Sequence, residues 1–310
     1  MPVYFNHQLD SRRWDAIEPR TGDVIVATSP KVGTTWTWWI IATLIHGEPL
    51  PPPPPPLVPW IDQRFGPPID VVKGWLAAQM HRRVMRSHLP FDALPYYREA
   101  FYVCVGRDGR DVALSLYNHL TSFTDETLRK LNSPAGTFAP LEPPDPDVHA
   151  FIKGWLTKGN PLFPWETDGY PHFSFFRQIR TFWDQRALPN VLLVNYADLS
   201  TDLAGEARRI ALFLGIDPTP ERIAAVKRSC TFEAMRAVAS RPESGVQHVL
   251  KGGASTFFHK GVMGRGKAFF THEEQALYEA ALARTLSTAC ARWLDAGRLA
   301  SGIDPATSDE

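Results

Sequence analysis

Cysteine is scarce in this chain. Three occur in 310 residues, Cys104, Cys230 and Cys290, far apart and without a CxxC pair. That spacing argues against a disulfide framework and fits buried thiols in a reducing cytoplasm. Charge of one sign is lacking as well, since 33 Lys and Arg balance 33 Asp and Glu. A chain without net charge is a poor general binder of nucleic acid, although a local basic pocket stays possible. Long hydrophobic runs are also missing. The longest, residues 36–45, is too short to span a bilayer, and the opening MPVYFNHQLDSRRW holds no apolar signal core. None of the ten histidines sits in an HExxH or paired Cys/His pattern, so no metal is expected.

What is present is a globular composition, 44% hydrophobic and 21% charged. We read residues 1–310 as one domain, with an N-terminal arm at 1–22. Four apolar runs, at 24–27, 84–88, 101–105 and 191–194, suit buried strands. Helical spacing separates them, at 36–45, 69–83, 111–120 and 176–186, and continues at 204–214, 221–230 and 273–296. Strands alternating with helices predict an α/β fold with a central parallel sheet flanked by helices. Six prolines at 51–56 read as a polyproline connector. The stretch 122–175 is long and mixed and is expected to be an acceptor-site loop region, while 245–266 is expected to be a loop.

The segment 24–36, VIVATSPKVGTTW, is the most informative. It predicts strand, tight polar turn and helix, a P-loop-like way of holding phosphate on the unpaired amides of a helix N-terminus. Lys31 supplies charge, Gly33 close backbone approach, and Thr34 and Thr35 hydroxyls. A Walker A loop places its Lys after the last glycine, whereas Lys31 precedes Gly33. A second unit, FYVCVGRDGRDVALSLY at 101–117, puts Arg107 at a strand end and Ser115 eight residues on, along a helix capped by Asp108. A third, RSHLP at 86–90, puts His88 at a strand end. Ligands of such sheets bind at the carboxyl ends of strands, so the three units are expected to share one site.

The pattern PKxGTTW, with Arg107, Ser115 and the RSHLP segment following in order, resembles the cytosolic-type sulfotransferases, which use 3′-phosphoadenosine 5′-phosphosulfate (PAPS) and release 3′-phosphoadenosine 5′-phosphate (PAP). The resemblance runs from about residue 22 to about residue 275. It implies that Lys31, Val32, Gly33, Thr34, Thr35 and Trp36 form the 5′-phosphosulfate loop, and that Arg107 and Ser115 bind the 3′-phosphate. His88 takes the place of the catalytic base, and Arg86, beside it, faces the acceptor. Lys31 and Ser115 are implied in catalysis as well as binding. Tyr196 and the segment CTFEAM, with Cys230 and Phe232, match the adenine-contacting positions. Phe257, Phe258, His259, Lys260 and Gly261 match the final nucleotide loop, with His259 where the family has Arg. The family's dimer signature is matched by Lys267 and Thr271 but not by His272 and Ala276, so no oligomeric state is carried over. The wording GRDGRD and the start RRWDAI resemble actinobacterial members assigned to glycolipid sulfation.

The activity implied is metal-free sulfuryl transfer to a hydroxyl of a phenol, steroid-like alcohol or glycolipid. Aromatic residues between 155 and 176 are expected to line an apolar acceptor site, the alternative being that they build core. Two rivals stay open at this point: a P-loop-type small-molecule kinase, and a catalytically degenerate PAP-binding protein.

Overall fold

Continuous β-branched and apolar runs build the sheet, as strands buried on both faces require. In the computed structural model, which describes residues 1–47, 57–134, 136–258 and 261–309, four strands pair in parallel: β1 (Val24–Ala27), β2 (Val84–Ser87), β3 (Phe101–Gly106) and β4 (Val191–Asn195). Their order is β2-β1-β3-β4. Val24 lies opposite both Val84 and Phe101, and Gly106 opposite Asn195. The proline run 51–56 lies outside the described residues.

The period-2 alternation of the strands feeds two cores. Ile25, Ala27, Met85, Tyr102, Cys104 and Leu193 face one. Val24, Val26, Val84, Val103, Leu192 and Val194 face the other. The helices, in chain order, are α1 (Thr34–His46), α2 (Ile69–Ala77), α3 (Gly109–Thr121), α4 (Asp125–Leu131), α5 (Val148–Thr157), α6 (Phe175–Trp183), α7 (Tyr196–Thr201), α8 (Leu203–Phe213), α9 (Pro220–Ser229) and α10 (Phe232–Ala239). Three short helices follow, α11 (Val246–Val249), α12 (Ala254–Phe257) and α13 (Arg265–Phe269), before α14 (His272–Thr285) and α15 (Thr288–Ser301). Helices α1, α8 and α9 cover the second core, while α3, α5, α6, α14 and α15 cover the first.

Several boundaries differ from the expectation. Helix α2 ends at Ala77 rather than 83, because Arg83 is already extended: its carbonyl accepts from Val24 N at 2.9 Å, and its guanidinium is buried against Asp23. The single C-terminal helix is two, broken at Leu286, where the Ser287 hydroxyl accepts from Cys290 N at 3.2 Å and starts a new helix. The expected loop at 245–266 holds α11, α12 and the start of α13, and the stretch 122–175 holds α4 and α5. Residues 1–22 are packed down: Tyr4, Leu9 and Trp14 are buried in the first core, and the Tyr4 hydroxyl donates to Glu166 at 2.6 Å.

Candidate active site

The carboxyl ends of β1, β2 and β3 open on one cavity of about 1000 Å³. Each strand delivers a different part of it.

After β1 the chain turns tightly. Lys31 takes φ 69°, the one left-handed non-glycine backbone among the described residues. That conformation costs an L-residue about 1–2 kcal/mol. Arg107 opposes the cost, donating from Nη1 to the Lys31 carbonyl at 3.0 Å. Gly33 follows at φ 109°, and a Cβ there would stand 2.8 Å from the Tyr196 ring, so only glycine fits. Thr28 Oγ1 and Thr34 Oγ1, 2.5 Å apart, close the turn. Thr34, Thr35 and Trp36, at the start of α1, line the cavity, so the unpaired first amides of a 13-residue helix lie at its wall. Burial, reinforced by the charge of Arg107, pushes the Lys31 ammonium down to about 8.

Beyond β3, Asp108 caps α3 by accepting from Arg110 N at 2.9 Å. Arg107, Asp111 and Ser115 then recur every four residues, on one face, and all three line the cavity. The Arg107 guanidinium lies 4.2 Å from the Tyr196 ring centroid and 3.8 Å from Asp111, yet its Nε is buried without a partner. Asp111 accepts from Gly264 N at 2.9 Å and Gly266 N at 2.8 Å, which fastens the segment after Gly261 to α3. Gly261 itself, at φ 63°, sits where a Cβ would meet the Phe232 ring at 2.8 Å. Phe232, Phe257 and Phe258 wall this end, with Lys31 Nζ 5.1 Å from the Phe257 centroid. The Trp36 indole is fixed by the Cys230 carbonyl at 2.7 Å and packs edge-on to Tyr196. His259 and Lys260 lie outside the described residues.

From β2, strand alternation turns Arg86 and His88 to the same side. His88 Nδ1 lies 2.7 Å from the Thr28 carbonyl. A carbonyl only accepts, so Nδ1 carries the proton and Nε2 is the free acceptor in the cavity wall. Burial lowers the imidazole's pKa and keeps it neutral near pH 7. Arg86 donates from Nε to the Val58 carbonyl at 3.1 Å, and burial pushes it down to about 10.

Two expected site residues turn their side chains away from the cavity. Val32 is fully buried and belongs to the first core, so only its backbone adjoins the turn. Cys230 is also fully buried, its Sγ against Thr43 at 3.6 Å, and burial pushes the thiol up to about 11. A small apolar residue just after α9 packs against α1, and only the Cys230 carbonyl serves the site, through Trp36. The aromatics of 155–176 turn away likewise: Trp155, Phe163, Phe173 and Phe176 are core. The apolar cavity wall comes instead from Trp60, Phe65, Phe123, Leu131, Val148 and Phe269.

The structure adds residues that motif reading missed. Asp62, fully buried, accepts from Trp14 Nε1 at 3.1 Å through one oxygen. Its other oxygen accepts from Trp60 Nε1 at 2.9 Å and from His88 N at 3.0 Å. The Trp60 ring lies edge-on to His88, with centroids 4.7 Å apart. The acid between aromatics in WIDQRF was the available signal. Gln8, His119 and His172 also reach the cavity from three separate segments, and no local pattern joins them.

Among the described residues, four cations, Lys31, Arg86, Arg107 and Arg265, line the cavity against one carboxylate, Asp111, whose oxygens are already engaged. Such a wall suits a polyanion. Among the described residues no group of three or more His, Cys, Asp or Glu is placed to hold a metal, and no helix is long and apolar enough to cross a membrane.

Comparison with known proteins bears on this geometry. The sequence profile of the sulfotransferase domain matches residues 21–288. A glycolipid sulfotransferase of Mycobacterium bovis (strain BCG / Pasteur 1173P2) is 33% identical over 320 aligned positions, covering 98% of this chain and 96% of that protein. Human sulfotransferase 2B1 is 30% identical over 274 positions, 84% of this chain and 65% of that protein. Among solved structures, mouse sulfotransferase SULT7A1 complexed with PAP shares the fold, with a TM-score of 0.64, 18% identity, and coverage of 93% of this chain and 94% of the other.

Proposed function

This chain belongs to the sulfotransferase family, and from that premise we propose that it moves the sulfuryl group of PAPS to a hydroxyl of an amphipathic, lipid-like acceptor, with His88 as general base. The observation that carries the reading is the convergence of Lys31, Arg107 and His88 Nε2 on one cation-rich cavity. The residues present fit PAPS. Arg107 Nε is buried without a partner, and Gly33 and Gly261 let the Tyr196 and Phe232 rings close onto the backbone at the cavity wall.

Bound PAPS supplies a sulfuryl group on a phosphate leaving group. Lys31 and the amides of 33–36 hold the 5′-phosphate end, and Lys31 neutralises charge that grows as the phosphate departs. Arg107 and Ser115 grip the 3′-phosphate, together with Gly261 and, by sequence match, His259 and Lys260. Trp36, Tyr196 and Phe232 enclose the adenine. His88, its tautomer set by the Thr28 carbonyl, takes the acceptor proton at Nε2. Arg86 lies next to it on the acceptor side.

The apolar wall supports an acceptor with a hydrophobic body, and segment 122–175 contributes Phe123, Thr127, Leu131 and Val148 to it. The mycobacterial relative's name supports a glycolipid; phenols and steroid-like alcohols are the arms to compare. Three buried free thiols among the described residues support a reducing compartment, and we assign the reaction to the cytoplasm.

Calorimetric titration tests the donor site. PAP should bind at least about tenfold more tightly than AMP, because charge-assisted bonds to the 3′-phosphate are lost in AMP. Radiolabelled PAPS should then transfer label to a hydroxyl acceptor without added metal. A preference for ATP with Mg²⁺ would support the kinase reading. PAP binding with no turnover across phenols, sterols and glycolipids would support a degenerate binding protein.

A further inference from the structure

Among the described residues three imidazoles face the cavity, and of these sulfuryl transfer uses only His88. His119 lies on α3 one turn beyond Ser115, and its Nδ1 is buried with no hydrogen-bond partner. His172 comes from the segment that leads into α6 and is 4% exposed. Its Nε2 lies 3.4 Å from the side-chain nitrogen of Gln8, which is itself 8% exposed. The two segments are distant in sequence, and the fold brings them to the acceptor side of the cavity together with Trp60 and Phe123. The His119 ring packs edge-on to Phe123, at 5.0 Å between centroids, so its plane is held.

Buried polar atoms are normally paired, and an orphan at a cavity wall points to a group absent from the free protein. The chemistry of that group follows from the protonation state. Burial lowers His119 well below its usual range, and the charge of Lys31 adds to the effect. Burial pushes His172 down to about 3. Both rings are therefore neutral; His119 offers one N–H donor and one nitrogen acceptor, while His172 accepts from the Gln8 amide at Nε2 and keeps its Nδ1–H as a donor. Gln8 likewise offers a donor and an acceptor. A hydroxyl, which donates and accepts, complements such a surface; a second anion does not.

We propose that His119 and His172, with Gln8, form a hydroxyl-reading subsite beside His88, selecting acceptors whose reacting hydroxyl has hydroxyl neighbours, as on a sugar ring. The proposal rests on the reading of this cavity as the sulfuryl-transfer site and names the residues that discriminate within it. A phenol or sterol brings one hydroxyl, used at His88, and leaves His119 Nδ1 unpaired. A sugar-headed amphiphile places further hydroxyls against His119 and His172 while its chain lies on Trp60, Phe65 and Phe123.

The test uses the full chain saturated with PAP, titrated calorimetrically with octyl glucoside below its micelle concentration and with 4-octylphenol below its solubility limit. The wild type should bind the glucoside at least about tenfold more tightly, since an unpaired buried partner penalises the analogue that lacks the hydroxyl. His119→Phe should remove that preference, weakening the glucoside about tenfold and leaving the phenol unchanged or tighter. His119→Gln, which keeps a donor and an acceptor, should restore most of it. PAP affinity should be the same in all three proteins, and this shows that the donor site and fold are intact. Gln8→Leu supplies an independent arm, with the same loss of preference expected, should His119→Phe fail to bind PAP. A wild type that binds the phenol as tightly as the glucoside, or variants that keep the preference, would overturn the proposal while leaving the donor-site reading intact. Failure of wild type to bind PAP would instead overturn that reading, and the proposal with it.

Discussion

Lys31 holds its charge where burial opposes it, and this sets a pH dependence. In the free protein the ammonium titrates at about 8. The charged form is the one a phosphate binds, so affinity for PAP should fall as pH rises through about 8. Binding between pH 8 and 9 should take up a proton, because the anion returns Lys31 towards its ordinary value. Lys31→Arg should flatten the profile, since guanidinium stays protonated throughout. Titrations from pH 6.5 to 9.5 check this. Parallel profiles for the two proteins would remove Lys31 from the phosphate site. At His88 the expectation is different in kind. His88→Ala should lower kcat by about 10²–10⁴ and leave PAP affinity unchanged, because the base proposed there would act on the acceptor. Asp62→Asn should also spare PAP affinity. Its amide must turn an N–H either to Trp14 or to the Trp60 and His88 donors, so stability should drop by about 1–3 kcal/mol.

Elements show why some of this was legible in the sequence. The strands were readable because a parallel strand is apolar throughout and ends where the polar turn begins, as at Ala27, Ser87 and Asn195. The α3 start was readable from Asp108, a side-chain cap with a local signature. The break between α14 and α15 was not, because no glycine or proline marks it and Leu286 keeps the helical spacing. Residues at Val32 and Cys230 matched a motif by position, but a side chain's direction is decided by packing against α1 and the sheet, which no local pattern records. Gln8, Asp62, His119 and His172 escaped for a related reason: they meet only after folding. Two substitutions separate element stability from site geometry. Ser287→Ala removes the cap of α15 and should cost about 1 kcal/mol in chemical denaturation, with PAP affinity unchanged. Gly33→Ala meets the Tyr196 ring at 2.8 Å and strains a backbone at φ 109°, so it should lose PAP affinity as well as stability. Equal PAP affinity in Gly33→Ala and wild type would show that the turn does not approach the nucleotide.

At the scale of the whole molecule, a sheet with a core on each face leaves the cavity at one edge, where three strands end. A ligand there ties together elements from both cores: α1 and α10 on one side, α3 on the other. PAP should therefore stabilise the entire fold rather than a local segment. At a hundred times its dissociation constant it should add about 2.7 kcal/mol. Calorimetric scans should show one transition moving up by several degrees, and by much less for Lys31→Ala. Two transitions, with only one shifted, would mean that the two cores unfold separately.

The two halves of the cavity are attached to the fold in different ways. The half assigned to the nucleotide is built from strand ends and the first turns of α1 and α3, so altering it disturbs the sheet. The opposite half rests on residues such as Phe65, Phe123, Leu131 and Val148, which sit on connecting segments and on helices outside the sheet. Selection can rework that wall while the donor chemistry stays constant. In a library randomised at those four positions, most folded variants should keep PAP binding while their acceptor ranges diverge. A lineage can thus change what it sulfates far faster than how it sulfates, and overall identity to a relative of known acceptor says less about the acceptor than these wall positions do.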